Sequence, residues 1–287
     1  MASTFENQPQ IPTQGETYHT HIEPTRNWLS INFKEMWFFR ELLFFLTWRD
    51  IKIRYQQTIL GFFWAVLQPV MTMIVFSLFF GRLAKIPSDG LPYPIFNFTA
   101  LLPWQFFEQA IGISTNSLVT NSNMVTKVYF PRIFVPISSV FSGLVDFAIA
   151  FVVLIAMMIF YQVSPTMGVL LLPLFLLLAF ITALGVSLWM SALNVKYRDV
   201  RYLVPFLTRF WFFATPIAYP STLLEEPWRT LYGLNPMVGV VEGFRWALLG
   251  TAPPQSMIFL SVTIALALFF SGLFYFNRTE KTFADVI

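Results

Sequence analysis

Glu108, Asp146 and Arg209 are ionisable residues lying inside long apolar runs of this sequence. A charge inside a bilayer is costly, so it faces a partner or a wet cavity. Two chemistries follow. Arg209 and Asp146 agree in sign and rough depth and can form an ion pair that locks two helices. Alternatively, Asp146 and Glu108 carry protons in an ion-coupled carrier, which also wants an inverted repeat; no convincing repeat is visible. Glu108 lies near the end of its run, where it can reach water. The two histidines, His19 and His21, sit in a polar N-terminal stretch with no third ligand nearby. They make neither a metal site nor a triad with a serine inside the membrane. Glu225 and Glu226 precede Pro227 and read as the solvated start of a helix. There is no cysteine, which excludes disulfides, thiolate metal sites and a cysteine nucleophile. A phosphate-cradling P-loop requires a Gly-Lys pair, and none occurs. The residues support neither an enzyme nor a metal or cofactor site in this chain.

The elements that would hold these residues are greasy helices. The chain is 56% hydrophobic and 11% charged over 287 residues, against roughly 25% charged in soluble domains. A net charge of +3 gives nucleic acid no reason to bind. Phe62–Phe80 carries no formal charge and is long enough to cross a hydrocarbon core of about 30 Å. Apolar runs predict six spanning helices, at about 61–81, 95–113, 133–160, 167–193, 201–220 and 257–277. Glu108 falls in the second, Asp146 in the third and Arg209 in the fifth. The third and fourth are joined by the short link QVSPT, which predicts a tight hairpin. Pro69, Pro103, Pro136, Pro173 and Pro205 sit in or near spans, where neighbours can satisfy the freed carbonyls. Residues 1–30 are polar and lack the apolar core of a secretory signal. They are expected to be a disordered tail ahead of one membrane domain, 31–287.

Lys and Arg set the orientation. The N-terminal segment, the links after spans two and four, and the C-terminal tail hold thirteen of them; the opposite links hold Arg82, Lys85, Arg229 and Arg245. Both termini are therefore expected in the cytoplasm. Residues 33–49 are aromatic but interrupted by Lys34, Glu35, Arg40 and Glu41, which predicts a helix in the cytoplasmic interface, with packing against the bundle as the alternative. The link 114–132 should hold one short helix and is either a solvated connector or a docking surface. Residues 219–256 are apolar yet chopped by Pro and Gly, which predicts two short helices dipping back into the outer leaflet. Glu242 and Arg245 stand three apart and can pair. Aromatics crowd the span ends, as an interfacial belt or as flat rings for sugar faces. The whole reads as an all-α polytopic membrane protein: six transmembrane helices, an N-terminal interfacial helix, and two re-entrant external helices between the fifth and sixth spans.

Five blocks now stand together: YQQTILGFFWAVLQPVMTMIVFSLFFG, PYPIFNFTALLPWQFF, SLVTNSNMVTKVYFPR, ALNVKYRDVRYLVPF and NPMVGVVEGFRWALLG. Their order resembles the membrane subunit of type-2 ABC exporters for O-antigen, capsule or teichoic acid polymers, over about 30–280. The resemblance implies a half-transporter in the inner membrane, two copies around a channel, with two ATP-binding-cassette subunits holding MgATP beneath. It implies an undecaprenyl-type lipid-linked glycan as cargo, with membrane lipids around the dimer. Tyr93, Phe96, Trp104, Phe107, Trp211 and Phe213 would line the channel. Arg49, Lys52 and Arg54 would meet the lipid pyrophosphate, or serve as plain anchoring charges. The segment 50–59 would gate the substrate entrance. Asn116, Asn121, Asn123 and Lys127 would couple to the ATPase, and Trp228, Glu242 and Arg245 would form the external gate. Export of a drug or free lipid and ion-coupled transport stand as rivals.

Overall fold

The computed structural model describes residues 33–56 and 61–283. The N-terminal tail, with His19 and His21, lies outside the described residues, as does the end of the 50–59 segment. Every regular element among the described residues is helical. The order is α1 (Phe33–Phe38), α2 (Arg40–Gln56), α3 (Gly61–Phe76), α4 (Tyr93–Thr120), α5 (Ser122–Lys127), α6 (Phe134–Phe160), α7 (Leu172–Lys196), α8 (Val200–Phe213), α9 (Trp228–Tyr232), α10 (Pro236–Leu249) and α11 (Met257–Thr279). α3 widens into a π-helical turn, Ser77–Leu83.

Local signals set several ends. Asn235 accepts from the Met237 amide ahead of Pro236 and so caps α10. Gly250, at φ +74°, closes the same helix in the left-handed conformation that glycine adopts without strain. Thr166 accepts from the Gly168 amide and starts the 3₁₀ turn that leads into α7. The link from α6 to that turn is short, as the hairpin reading expects.

Among the described residues four helical segments are long and apolar enough to cross a membrane: Phe63–Leu83, Phe134–Phe160, Met167–Lys196 and Met257–Thr282. They correspond to the first, third, fourth and sixth expected spans. The other two differ for physical reasons. α4 has 28 residues but carries Asn97, Thr99, Glu108, Ser114, Thr115 and Ser117. It tolerates them because α3, α6, α7, α8 and α10 surround it, so its neighbours are protein groups and not lipid. Its seventh-to-last residue was expected to open a loop, yet the helix runs on to Thr120. The fifth helix is shorter than expected: α8 stops at Phe213 after 14 residues, about 21 Å at 1.5 Å per residue.

α4 and α7 run side by side. Asn194 of α7 donates to the Thr115 carbonyl at 2.9 Å near one end. Near the other, α10 rests on both helices. α7 and α11 approach backbone to backbone, because a Cβ at Gly272 would lie 2.5 Å from the Gly185 carbonyl oxygen. Of the four long apolar segments, Phe63–Leu83 is the least covered: only 6% of its apolar window is buried.

The aromatic N-terminal stretch also departs from expectation. It breaks at Phe39, and α2 continues unbroken through 50–56, so the later part of the interfacial segment and the described part of the gating segment share one helix. Leu46 is buried against α6, whereas Phe44, Phe45 and Trp48 are exposed. α2 therefore packs on the bundle with one face and presents rings with the other.

Candidate functional site

Where α8 ends, the Ala214 and Thr215 amides close its last turn on Phe210 and Phe212, and the chain then runs on to Tyr219 outside any helix, yet mostly buried. Unpaired carbonyls there would be costly. Side chains from three other elements satisfy them. Arg245 of α10 donates to the carbonyls of Pro216 at 2.7 Å, Ile217 at 2.8 Å and Tyr219 at 3.3 Å. Asn97 donates to Ile217, and the Tyr93 hydroxyl donates to Ala218 at 2.7 Å. Asn235 donates to Ala214 at 2.9 Å, while its oxygen accepts from the Trp211 indole at 2.8 Å. Arg245 also meets Glu242 at 3.2 Å and lies over the Phe96 ring, 3.6 Å from its centroid.

This arrangement revises the gate and channel expectations. Arg245 is 0% and Glu242 3% exposed; counted from sequence as external gate residues, they are a buried pair pinning a broken helix. Only Trp228 of that set is exposed. Tyr93, Phe96, Trp104 and Phe107 are buried among this chain's own side chains. They pack the interior instead of facing open space. Trp211 is half-buried, held by Asn235 and edge-on to Phe107. Phe213 alone of the six is well exposed.

Phe213 has company that the sequence reading missed. Tyr202, Phe206 and Phe210 are each about two-thirds exposed. With Phe213 they occur at i, i+4, i+8 and i+11 and so share one face of α8. That spacing was the available signal. The signal is masked in the sequence because aromatics crowd the span ends on every side, and only the helical face separates these four from the rest.

The three N-terminal cations separate. Arg54 pairs with Asp146 of α6, and the Tyr55 hydroxyl donates to the same carboxylate. Burial, then the bond to Asp146, pushes the Tyr55 phenol far above its usual range, so it stays a donor. Arg49 bonds its neighbour Asp50, which in turn accepts from Ser138 of α6. Lys52 is exposed. The expected partner of Asp146 was Arg209; the actual one is Arg54, because α2 runs along α6 and reaches that depth first. Arg209 instead lies within electrostatic reach of Glu108. Asp146→Ala is expected to lower stability by about 2 kcal/mol, between the worth of an exposed pair and the cost of breaking a fully buried one. Hydrogen exchange should rise in 50–56 and stay unchanged in α10. Unaltered exchange in α2 would mean that the pair does not hold it.

The coupling candidates divide by exposure. Asn116 is inside α4, where it donates to the Gly112 carbonyl. Asn121 bonds the Ser117 carbonyl at 2.8 Å and ends α4. Asn123 and Lys127 are exposed on α5, followed by exposed Val128 and Tyr129. The single short helix expected in 114–132 is present, but smaller than the link. Arg132 ties the far side of α5 to the end of α11, donating to the Glu280 carbonyl at 2.6 Å.

Comparison with known proteins bears on the whole of this assembly. The family model described as ABC-2 type transporter matches residues 41–249. The O-antigen export system permease protein RfbA of Myxococcus xanthus is 32% identical over 88% of this chain and 98% of its own length. An RfbA of the same description from Klebsiella pneumoniae is 27% identical over 86% and 95%. The polysialic acid transport protein KpsM of Escherichia coli is 23% identical over 81% and 91%. The match spans α2 through α10, from the Asp146 clamp to the Arg245 pin, and on that extent the chain belongs to the ABC-2 type transporter family.

Proposed function

We propose that this chain is the permease subunit of an ABC transporter that exports an O-antigen-like polysaccharide across the cytoplasmic membrane. The observation that carries the reading is the near end-to-end likeness to relatives named for polysaccharide export. Two copies would enclose the path, and two separate ATP-binding subunits would supply MgATP hydrolysis. The lack of any Gly-Lys pair in the sequence fits that division of labour. The cargo would be a glycan on an undecaprenyl-type lipid.

Several features support the finer architecture. α4 keeps company with α7 along its length, so it would cross despite its polarity. α8 with 214–219 would make the fifth crossing as a broken helix, which membranes tolerate where protein covers the break. Six crossings then put both termini in the cytoplasm, in line with the lysine and arginine count. α9 and α10 would be the re-entrant pair; α10 is buried at every residue but Trp246. The exposed tip of α5 would dock on the ATPase.

The aromatic face of α8 is the surface best suited to a sliding sugar chain, since flat apolar rings hold sugar faces without fixing register. Asp146 is already engaged by Arg54 and Tyr55, which leaves an ion-coupled carrier only Glu108 of its two carboxylates. The combined change Tyr202→Ala, Phe206→Ala and Phe210→Ala should cut surface glycan about tenfold, the effect of losing about 1.4 kcal/mol. The ATP-binding subunits should still co-purify in a two-plus-two complex. Full export by that variant would remove the face from the path, and a stable transporter without any ATPase would overturn the reading as a whole.

A further inference from the structure

An apolar cleft of about 280 Å³ lies between α7 and α8, floored by Ile111 of α4. Val186 and Met190 form one side, and Val204, Leu207 and Trp211 the other. The one hydroxyl in its wall, Thr208, donates to the Pro205 carbonyl. Water needs two to four polar partners to occupy a cavity, and this wall offers next to none. A hydrocarbon chain suits it better, and a bilayer supplies such chains at high concentration.

The same two helices meet in a turn of opposite character. Lys196, Arg198 and Arg201 are all exposed there, with Asp199 the one acid in that stretch. Two of the cations are held against exposed rings: Lys196 Nζ lies 5.3 Å from the Tyr197 centroid and Arg201 4.6 Å from that of Tyr202. Arg201 Nη2 also donates to the Tyr202 hydroxyl at 2.7 Å. Ring stacking orients these heads and spends at most one donor of the guanidinium, leaving the others for an anion. From Lys196 back to Met190 is about 9 Å along α7, and from Arg201 on to Val204 about 4.5 Å along α8. An anionic head on the turn therefore leaves its chain at the mouth of the cleft.

We infer that the α7–α8 pair binds a lipid with a phosphate head and a long hydrocarbon chain. The head rests on Lys196, Arg198 and Arg201, and the chain on Val186, Met190, Val204 and Leu207. Two sources share that chemistry: an ordinary anionic phospholipid and a polyprenyl phosphate carrier. Only the second rests on the export reading; the site itself does not.

The test uses the full transporter complex in nanodiscs with two photoreactive probes, a diazirine-tagged phosphatidylglycerol and a diazirine-tagged decaprenyl phosphate. Labelling should concentrate in 186–211. Lys196→Gln, Arg198→Gln and Arg201→Gln should each reduce it about fivefold, as expected for a cation near a lipid head. Thr208→Phe, which fills the cleft, should abolish it; the surface variants cover the case in which that protein misfolds. Preference for decaprenyl phosphate with loss of export identifies the carrier, and equal labelling with export intact identifies a resident phospholipid. Labelling spread evenly over α3, α6 and α11 and blind to these variants would overturn the site. So would a disulfide between copies through Leu207→Cys, a clean probe in a chain that has no cysteine, since a second protein chain would then fill the cleft.

Discussion

Arg245→Met is expected to destroy most of the folded protein. The substitution keeps an unbranched apolar stem but removes every donor that Arg245 directs at Pro216, Ile217 and Tyr219. It also leaves Glu242 buried without its cation. Removing one partner of a buried pair costs about 3–5 kcal/mol, and each orphaned carbonyl adds to that. The sum approaches the whole stability of a typical domain, about 5–15 kcal/mol. Recovery from detergent should fall steeply, and remaining protein should melt early. Arg245→Lys should rescue little, because an ammonium cannot reproduce the planar fork that reaches carbonyls on several sides. Glu242→Gln should be milder, since the carbonyl bonds of Arg245 survive and the Gln oxygen can still accept, although the cation loses its counter-charge. Adding Glu242→Gln to Arg245→Met should recover part of the loss. Near-normal melting of Arg245→Met would mean that the 214–219 segment is held by something else.

Gly185→Val should separate α7 from α11. A Cβ at this position would lie 2.7 Å from the Phe269 amide nitrogen and 2.8 Å from the Leu268 carbonyl carbon. These are main-chain atoms, so no rotamer change relieves the clash and one helix must move. Overpacking costs about 1–3 kcal/mol, occasionally more, and backbone contact belongs at the high end. A drop in melting temperature of about 5 °C or more is expected, with export lost because α11 also supports α9 and α10. Gly112→Ala is the control: its added Cβ meets nothing within 4 Å, and alanine favours the helix by about 1 kcal/mol. Equal melting of the two variants would show that the α7 and α11 backbones are not in close contact at Gly185.

Much of the molecule was written in composition and spacing. Charge scarcity, uninterrupted apolar runs and the lysine and arginine distribution demand membrane helices, because burying backbone in lipid leaves few alternatives to helix. The runs at α3, α6, α7 and α11 were legible for that reason, as was the short helix in the link that became α5. The block order also carried the family. α4 was harder to bound, since its polar residues look like loop signals until α6, α7 and α10 are seen around them.

Other features existed only once the chain was folded. Hydropathy measures how apolar a residue is and says nothing of which neighbour it meets. Asp146 therefore had a plausible partner in Arg209 and an actual one in Arg54, 92 positions away. Tyr93, Phe96, Trp104 and Phe107 had the composition of a conduit wall but the burial of a core, because burial depends on what stands opposite. Arg245 counted as a loop charge in sequence; three-dimensional proximity to the carbonyls of 214–219 made it the pin of a broken helix. The sequence settled which segments are greasy and helical, since that is a local property of side chains and backbone. The tertiary structure alone decided which charges pair and which rings stay exposed, since those depend on contacts between residues far apart in the chain.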